Sequence, residues 1–235
     1  MISTPNTGLP QSSTFEPIRI VNEILQDARE KNNEIWVLFQ DLSKAYDRVN
    51  VFMLEKALLR LKLPSSFVNL MKNIFTNRRN SIFTESGMTD PYDVLIGIDQ
   101  GEVISPLLWC IYYDPLLAEV ESRGLGYKLS HLYKHKMLQV HNSTLAFMDD
   151  TTWLTTSQNN LESILSIADD FYTLNNIQVN KTKSELIVNI PGELTPDEIT
   201  LSFGAEPIII RPAHKQESVR TLGVWVRDWN RFCDN

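Results

Sequence analysis

Asp149 and Asp150 stand side by side between two short runs rich in β-branched and aromatic residues, Ser-Thr-Leu-Ala-Phe-Met over 143–148 and Thr-Thr-Trp-Leu-Thr-Thr over 151–156. The pattern predicts a β-hairpin with the acids at its turn. Adjacent carboxylates repel, so a tight turn carries such a pair either because water solvates both or because a cation sits there. A third acid, Asp41, closes the apolar run Ile-Trp-Val-Leu-Phe-Gln over 35–40. If these strands are neighbours in one sheet, the carboxylates converge at its end. Hard oxygen donors on a rigid sheet suit Mg²⁺, which takes a few carboxylates together with substrate phosphates. Two such ions about 3.5–4 Å apart clamp an in-line phosphoryl displacement. That reaction asks the protein for position and charge rather than covalent chemistry. A calcium-loop reading of 41–52 fails, because Tyr46 and Phe52 stand where that loop needs Gly and Glu.

Positioning these acids requires a sheet with helical backing, and the hydrophobic periodicities supply one. The 35–40 run is apolar without alternation, which predicts a central strand buried on both faces. Before it, 1–13 reads as an extended entry segment. Ile18, Val21, Ile24, Leu25 and Ala28 then stripe a helix reaching about Asn32, with Ser13 or Thr14 as its cap and Pro17 in its first turn. Leu54, Ala57, Leu58 and Leu61 mark a second helix. Pro64 opens a third, with Phe67, Leu70, Met71, Ile74 and Phe75 on its inner face. Strands over 81–84 and 92–97 are expected to pair around a turn at 87–91. A long apolar helix spans 105–122, with Pro106 at its start and Asp114-Pro115 marking a kink. Another strand pair is expected over 127–132 and 137–141. Leu161, Ile164, Leu165, Ala168, Phe171 and Tyr172 stripe a further core-facing helix, and strands are expected over 184–190, 199–203, 207–210 and 221–226. This order of helices and hairpins predicts the α+β class, one antiparallel sheet with helices on one face.

A chain of 235 residues is long enough for a substantial core. Its net charge of −7 and pI near 5.2 argue against a surface that is basic throughout. Local basic tracks remain at Arg78-Arg79, Lys134-His135-Lys136 and Lys181-Thr182-Lys183, each of which also reads as a solvated face. Cys110 and Cys233 give neither a disulfide framework nor zinc spacing, and fit a reducing compartment. The start lacks a signal-like segment and no apolar run reaches bilayer length. The expectation is an intracellular protein, nuclear or cytoplasmic, without membrane association.

Several stretches carry a family resemblance. Phe39-Gln40-Asp41-Leu42-Ser43-Lys44-Ala45-Tyr46-Asp47-Arg48-Val49 resembles the first catalytic motif of reverse transcriptases of the non-LTR (LINE-like) retrotransposon type. The stretch Gly97-Ile98-Asp99-Gln100-Gly101-Glu102-Val103-Ile104-Ser105-Pro106-Leu107-Leu108 is similar to their Gln-Gly…Ser-Pro motif, and Phe147-Met148-Asp149-Asp150 to their aromatic-x-Asp-Asp motif. Asn180-Lys181-Thr182-Lys183-Ser184-Glu185 resembles the motif that follows, and Thr221-Leu222-Gly223-Val224 the hairpin after that. The set occurs in family order over roughly 8–226, which is far more specific than any one motif.

The resemblance implies a polymerase palm, with an antiparallel sheet, helices packed on one face, partial fingers and no thumb. It implies one partial reverse transcriptase domain: fingers and palm-flanking elements over 1–34 and 51–100, palm core over 35–50 and 101–190, and the end of the palm with a primer-grip-like hairpin over 191–235. The implied activity is RNA-directed DNA synthesis from dNTPs on an RNA template and DNA primer, using two Mg²⁺ or, in their place, Mn²⁺. Asp41 and Asp149 would bind both metals, Asp150 would assist, and the carbonyl of Leu42 would help hold the nucleotide-side metal. Tyr46 would be the steric gate against a ribose 2′-hydroxyl. Gln100 and Gly101 would line the template and nucleotide pocket, and Ser105 and Pro106 would open the helix supporting it. Lys183 would sit near the leaving pyrophosphate as a proton donor, and Leu222 and Gly223 would belong to the primer grip.

Plainer readings stand beside these roles. Tyr46, Trp109, Tyr112 and Tyr113 fit core packing, Asp47 a helix cap, Gln100 a loop-satisfying amide and Lys183 a surface lysine. The chain also departs from the family pattern. Asp99 stands at a commonly basic position, Glu102 where Asp is usual, and Met148 where alanine is commoner. Upstream basic residues that grip the triphosphate, a thumb, an endonuclease segment and a zinc knuckle are not seen. The alternative is therefore a catalytically inactive remnant that binds nucleic acid or protein only. An RNA-directed RNA polymerase is disfavoured, because those palms typically carry a second acid where this chain has Tyr46.

Overall fold

A computed structural model describes residues 13–133, 136–213 and 217–227. The chain runs α1 (Phe15–Glu30), β1 (Ile35–Ser43), a 3₁₀ turn (Tyr46–Arg48), α2 (Val51–Arg60) and α3 (Ser65–Phe75). Four short strands follow: β2 (Arg78–Asn80), β3 (Phe83–Thr84), β4 (Gly87–Met88) and β5 (Tyr92–Val94). Then come α4 (Ser105–Arg123), β6 (Tyr127–Tyr133), β7 (Lys136–Asn142), β8 (Thr144–Phe147), β9 (Asp150–Thr155) and α5 (Gln158–Asn175). The remainder holds β10 (Gln178–Val179), a second 3₁₀ turn (Lys181–Lys183), β11 (Glu185–Asn189), β12 (Ile199–Leu201), β13 (Ile208–Ile210), β14 (Ser218–Thr221) and β15 (Val224–Arg227).

β1 is the axis of a five-stranded antiparallel sheet. Along one edge it pairs with β9, from Trp36↔Thr155 to Asp41↔Asp150, and β8 continues the sheet beyond β9. Its other edge is shared by two strands in succession: β11 covers Ile35 to Phe39, and β10 covers Leu42 and Ser43. Side chains of a strand alternate between faces, and the cores follow that parity. Trp36, Leu38 and Leu42 enter a large core built with α2, α3, α4 and α5. Ile35, Val37 and Phe39 enter a second core with Ile18, Val21, Ile24, Leu25 and Ala28 of α1 and with Val219 and Val226 of the last hairpin. The expectation of helices on one face is thereby corrected. A strand apolar at every position has two faces to cover, and α1 covers the one that α4 and α5 leave open.

Three local expectations also change. On α3 the buried stripe is Val68, Met71 and Phe75, whereas Leu70 and Ile74 are exposed. A single helix turned against one neighbour buries one narrow stripe, and apolar residues beside it stay in water. The strand pair expected over 81–84 and 92–97 forms in a different register: β2 pairs with β5 through Arg78↔Val94, Arg79↔Asp93 and Asn80↔Tyr92, and β3 pairs with β4 inside it. Short polar strands specify register weakly. The strand expected over 221–226 is a hairpin, because Leu222 and Gly223 turn the chain with φ of 50° and 79° between β14 and β15. The α4 helix runs through Pro115 to Arg123, and Gly124 ends it at φ 63°. The 1–12 part of the entry segment, Lys134, His135 and Cys233 lie outside the described residues. Among the described residues, no helix is long and apolar enough to cross a membrane.

Candidate active site

The acids meet because of register. Asp41 faces Asp150 across the β1–β9 pair, and Asp150 faces Phe147 across the β8–β9 pair. Asp149 is in the two-residue turn between β8 and β9. By alternation Asp41 and Asp150 continue the side of the sheet to which Phe39 and Leu154 belong. Their electrostatics register the proximity. Asp150 is pushed up to about 6, first by burial, then by the charges of Asp149 and Asp41. Asp149 is also raised, first by burial and then by Asp41, with its own backbone amide and Lys183 acting in the opposite sense.

Lys183 arrives through the other edge of β1. The β10 pairing ends where the Asn180 amide donates to the Asp41 carbonyl (2.9 Å), and the tight turn that follows carries Lys183 back over Asp41. Its Nζ lies 3.4 Å from Asp41 Oδ2. Lys181, two residues earlier, is occupied elsewhere: it donates to the Glu206 carbonyl (2.9 Å) and lies over the Phe203 ring. Leu42 is buried in the large core and pairs with Val179, so its peptide follows directly after the Asp41 carboxylate.

The β8–β9 turn is strained and held from behind. Met148 has φ 55°, a conformation that costs a side-chain-bearing residue roughly 1–3 kcal/mol. Trp109 Nε1 donates to the Met148 carbonyl (2.7 Å), and Tyr46 Oη donates to Met148 Sδ (3.2 Å). The Trp109 ring in turn stacks on Tyr46, with centroids 5.8 Å apart and planes inclined by 26°. Burial is the main cause that pushes the Tyr46 hydroxyl up to about 12, and the nearby Cys110 and Asp149 add to it. The Tyr46 side chain therefore stands beside the acids, on the 3₁₀ turn that follows β1.

A loop closes the other side of that turn. The amides of Gly97 and Ile98 donate to the carbonyls of Val49 (2.8 Å) and Tyr46 (2.9 Å). Gly97 has φ 89°, and a Cβ there would lie 2.9 Å from the Asp47 carbonyl oxygen, so the close approach needs glycine. Arg78, 9% exposed, donates to the carbonyls of Ile96 and Gly97 and ion-pairs with Asp99. The Asp99 departure from the family pattern is thus matched by a local cation. Gln100 and Gly101 follow on the exposed part of this loop. Ser105 is fully buried at the start of α4, with no hydrogen-bond partner for its Oγ.

A family model described as reverse transcriptase (RNA-dependent DNA polymerase) matches residues 2–226. The chain belongs to the reverse transcriptase family. Its relatives identify it as a reverse transcriptase domain of the non-LTR retrotransposon type. A probable RNA-directed DNA polymerase from transposon X-element of Drosophila melanogaster is 35% identical over 98 residues, 40% of this chain and 10% of that protein. A Pol polyprotein from the type-1 retrotransposable element R2 of Popillia japonica is 27% identical over 212 residues, 87% of this chain and 29% of that protein. The chain thus spans under a third of these curated relatives' length. Among solved structures, telomerase from Candida tropicalis with a TWJ fragment of telomeric RNA aligns at a TM-score of 0.57 and 16% identity, covering 84% of this chain and 31% of that one. At that identity the likeness concerns the fold.

Within this reverse transcriptase domain the structure brings Asp41, Asp149, Asp150, Lys183 and Tyr46 together. Leu42, Gln100, Gly101 and Ser105 lie on segments adjoining Asp41 and Tyr46. Leu222 and Gly223 belong to the last hairpin. They turn that hairpin, which packs on the Phe39 side of the sheet, with no described contact to the acids. Among the described residues no group of three or more His, Cys, Asp and Glu side chains is placed so that it could hold a metal ion. The donor set nevertheless suits a hard divalent cation, since Mg²⁺ is held by one or two carboxylates and completes its sphere with water and phosphate. Sequence reasoning missed Trp109 and Arg78 as parts of this architecture. Trp109 reads as one more apolar residue of α4, and nothing in the sequence marks Met148 as a left-handed turn residue that needs a donor.

Proposed function

We propose that this domain catalyses RNA-directed DNA synthesis, joining dNTPs to a primer 3′-hydroxyl along an RNA template. The observation that carries this reading is the meeting of Asp41, Asp149 and Asp150 at one end of β1 and β9, with Lys183 beside them. In this reading Asp41 and Asp149 hold two Mg²⁺, with Asp150 and the Leu42 carbonyl assisting. Bound there, divalent cations supply activation of the primer hydroxyl and neutralisation of charge on the triphosphate.

The protein's own groups do the rest. Lys183 sets a cation where charge gathers on the departing pyrophosphate, and such charge stabilisation is usually the largest single contribution to catalysis. Tyr46 fills the space that a ribose 2′-hydroxyl would need, with its ring fixed by Trp109 and its hydroxyl by Met148. The loop bearing Gln100 and Gly101 lines the base-pairing pocket next to that ring. The β14–β15 hairpin, which shares the Phe39 side of the sheet, grips the primer. RNA as template is supported by the family, whose description is that of an RNA-dependent DNA polymerase.

Primer extension on an RNA template with dNTPs and Mg²⁺ tests this reading, with Asp149→Asn as the control that should abolish synthesis. Template binding with neither synthesis nor Mg²⁺-dependent dNTP binding would assign the chain to a binding role instead.

A further inference from the structure

Trp109 makes two contacts that serve different parts of the site. It is fully buried on α4, one turn after Ser105. Its indole face stacks on Tyr46 and, at 5.2 Å and 18°, on Tyr113. Tyr113 continues inward, hydrogen-bonding the hydroxyls of Thr151 (3.0 Å) and Tyr172 (2.7 Å). Trp109 is therefore braced by a packed aromatic layer and has little freedom to move. From that fixed ring its Nε1 donates to the carbonyl of Met148 at 2.7 Å. Met148 is the turn residue with φ 55°, and its carbonyl belongs to the peptide that links it to Asp149. Fixing that carbonyl fixes the plane of the peptide, and hence the direction in which Asp149 leaves the turn.

We propose that Trp109 is a positioning residue that sets two properties separately: its ring holds the Tyr46 gate, and its indole N–H holds the peptide carrying Asp149. The inference rests on the polymerase reading above. It assigns the separation to a chemical difference that substitution can exploit, because phenylalanine keeps a stacking face and has no donor. A carbonyl left without its donor in a covered turn loses a hydrogen bond that costs about tenfold or more in an equilibrium.

The test compares wild type, Trp109→Phe and Trp109→Leu in three measurements. Mn²⁺ binding to the chain alone is read by electron paramagnetic resonance, which needs no turnover. The Mg²⁺ concentration for half-maximal primer extension and the ratio of dNTP to rNTP incorporation are read kinetically. Trp109→Phe should weaken Mn²⁺ binding and raise the Mg²⁺ requirement by about tenfold while leaving the sugar ratio within about twofold of wild type. Trp109→Leu should weaken metal binding similarly and also lower the sugar ratio. Wild-type metal binding and Mg²⁺ dependence in Trp109→Phe, with wild type active, would overturn the proposal alone. So would equal losses of both properties in the two variants, which is what general core damage produces. A wild-type chain that neither binds Mn²⁺ nor extends a primer would remove the polymerase reading and this proposal with it.

Discussion

Replacing Asp150 by Asn should make the metal-free protein more stable. In the fold its carboxyl is lifted from an ordinary 3.8 to about 6, first by burial and then by Asp149 and Asp41. A lift of that size corresponds to roughly 3 kcal/mol of disfavoured charge. The group is only partly covered, and solvent screening reduces the usable figure to about 1 kcal/mol. The sign follows from proton linkage. Between about pH 4 and pH 6 the folded protein holds a proton at Asp150 that the unfolded chain has released, so stability falls as pH rises through this window and stays low above it. Asparagine resembles the protonated acid at every pH. The variant should therefore match wild type near pH 4 and exceed it above pH 6, by about 2–4 °C in Tm for a chain of this size. The assay is thermal unfolding in EDTA from pH 4 to pH 8. Saturating Mg²⁺ should then stabilise wild type more than the variant, since a ligand stabilises the state that binds it. An Asp150→Asn protein that is less stable than wild type in EDTA at pH 8, or whose difference from wild type does not change with pH, would refute the reasoning.

Tyr46→Val should lower discrimination against ribonucleotides by about 10–100-fold, measured as the ratio of kcat/KM for dNTP and rNTP. An unchanged ratio would remove Tyr46 as the gate. Lys183→Met should reduce kcat by about a hundredfold with Tm almost unchanged, because its side chain is 66% exposed and its pair with Asp41 contributes little to stability. Arg78→Ala should destabilise the fold by about 2–3 kcal/mol in chemical denaturation and raise the KM for dNTP. Adding Asp99→Asn to it should cost little more, giving a coupling of about 1 kcal/mol or above in a double-mutant cycle. Gly97→Ala should destabilise by about 1–3 kcal/mol, since the new Cβ meets the Asp47 carbonyl at 2.9 Å and φ is 89°.

What the sequence revealed follows from how local each determinant is. The unbroken apolar run of β1 declares a strand buried on both faces, and the β-branched flanks of Asp149 declare a hairpin. Both are short-range patterns, and both occur in the structure as read. Which layer covers which face is not local. The stripe of α1 says that it packs on something apolar, yet only the parity of β1 decides that it lies opposite α4 and α5. Leu70 and Ile74 are as apolar as Met71, so composition could not exclude them from the inner face of α3. Arg78 and Arg79 look alike in sequence. One is 9% exposed and ties down a loop, whereas the other, 64% exposed, pairs with Asp93 on the surface. The ordered motifs located Asp41, Asp149, Asp150, Tyr46 and Lys183, but no spacing rule reveals that the donor for the Met148 carbonyl lies on α4.

Three acids at one end of a sheet and a left-handed methionine in its turn both oppose folding, so the surrounding structure has to hold them. The strain at Met148 is on the order of 1–3 kcal/mol, and burial of the Asp150 carboxylate together with repulsion from Asp149 and Asp41 adds about 1 kcal/mol. A flexible loop would relax both by moving. The β1 strand cannot, because it is paired along both edges and buried on both faces, and β9 is fixed to it from Trp36↔Thr155 through to Asp41↔Asp150. Behind the turn, Trp109, Tyr113 and Tyr172 form a closed aromatic and hydroxyl layer. The rigid part of the molecule thus lies directly under the part that is electrostatically unfavourable. On the polymerase reading proposed above, cations and a triphosphate would relieve that repulsion at little cost in reorganisation, because the sheet already holds the carboxylates close together.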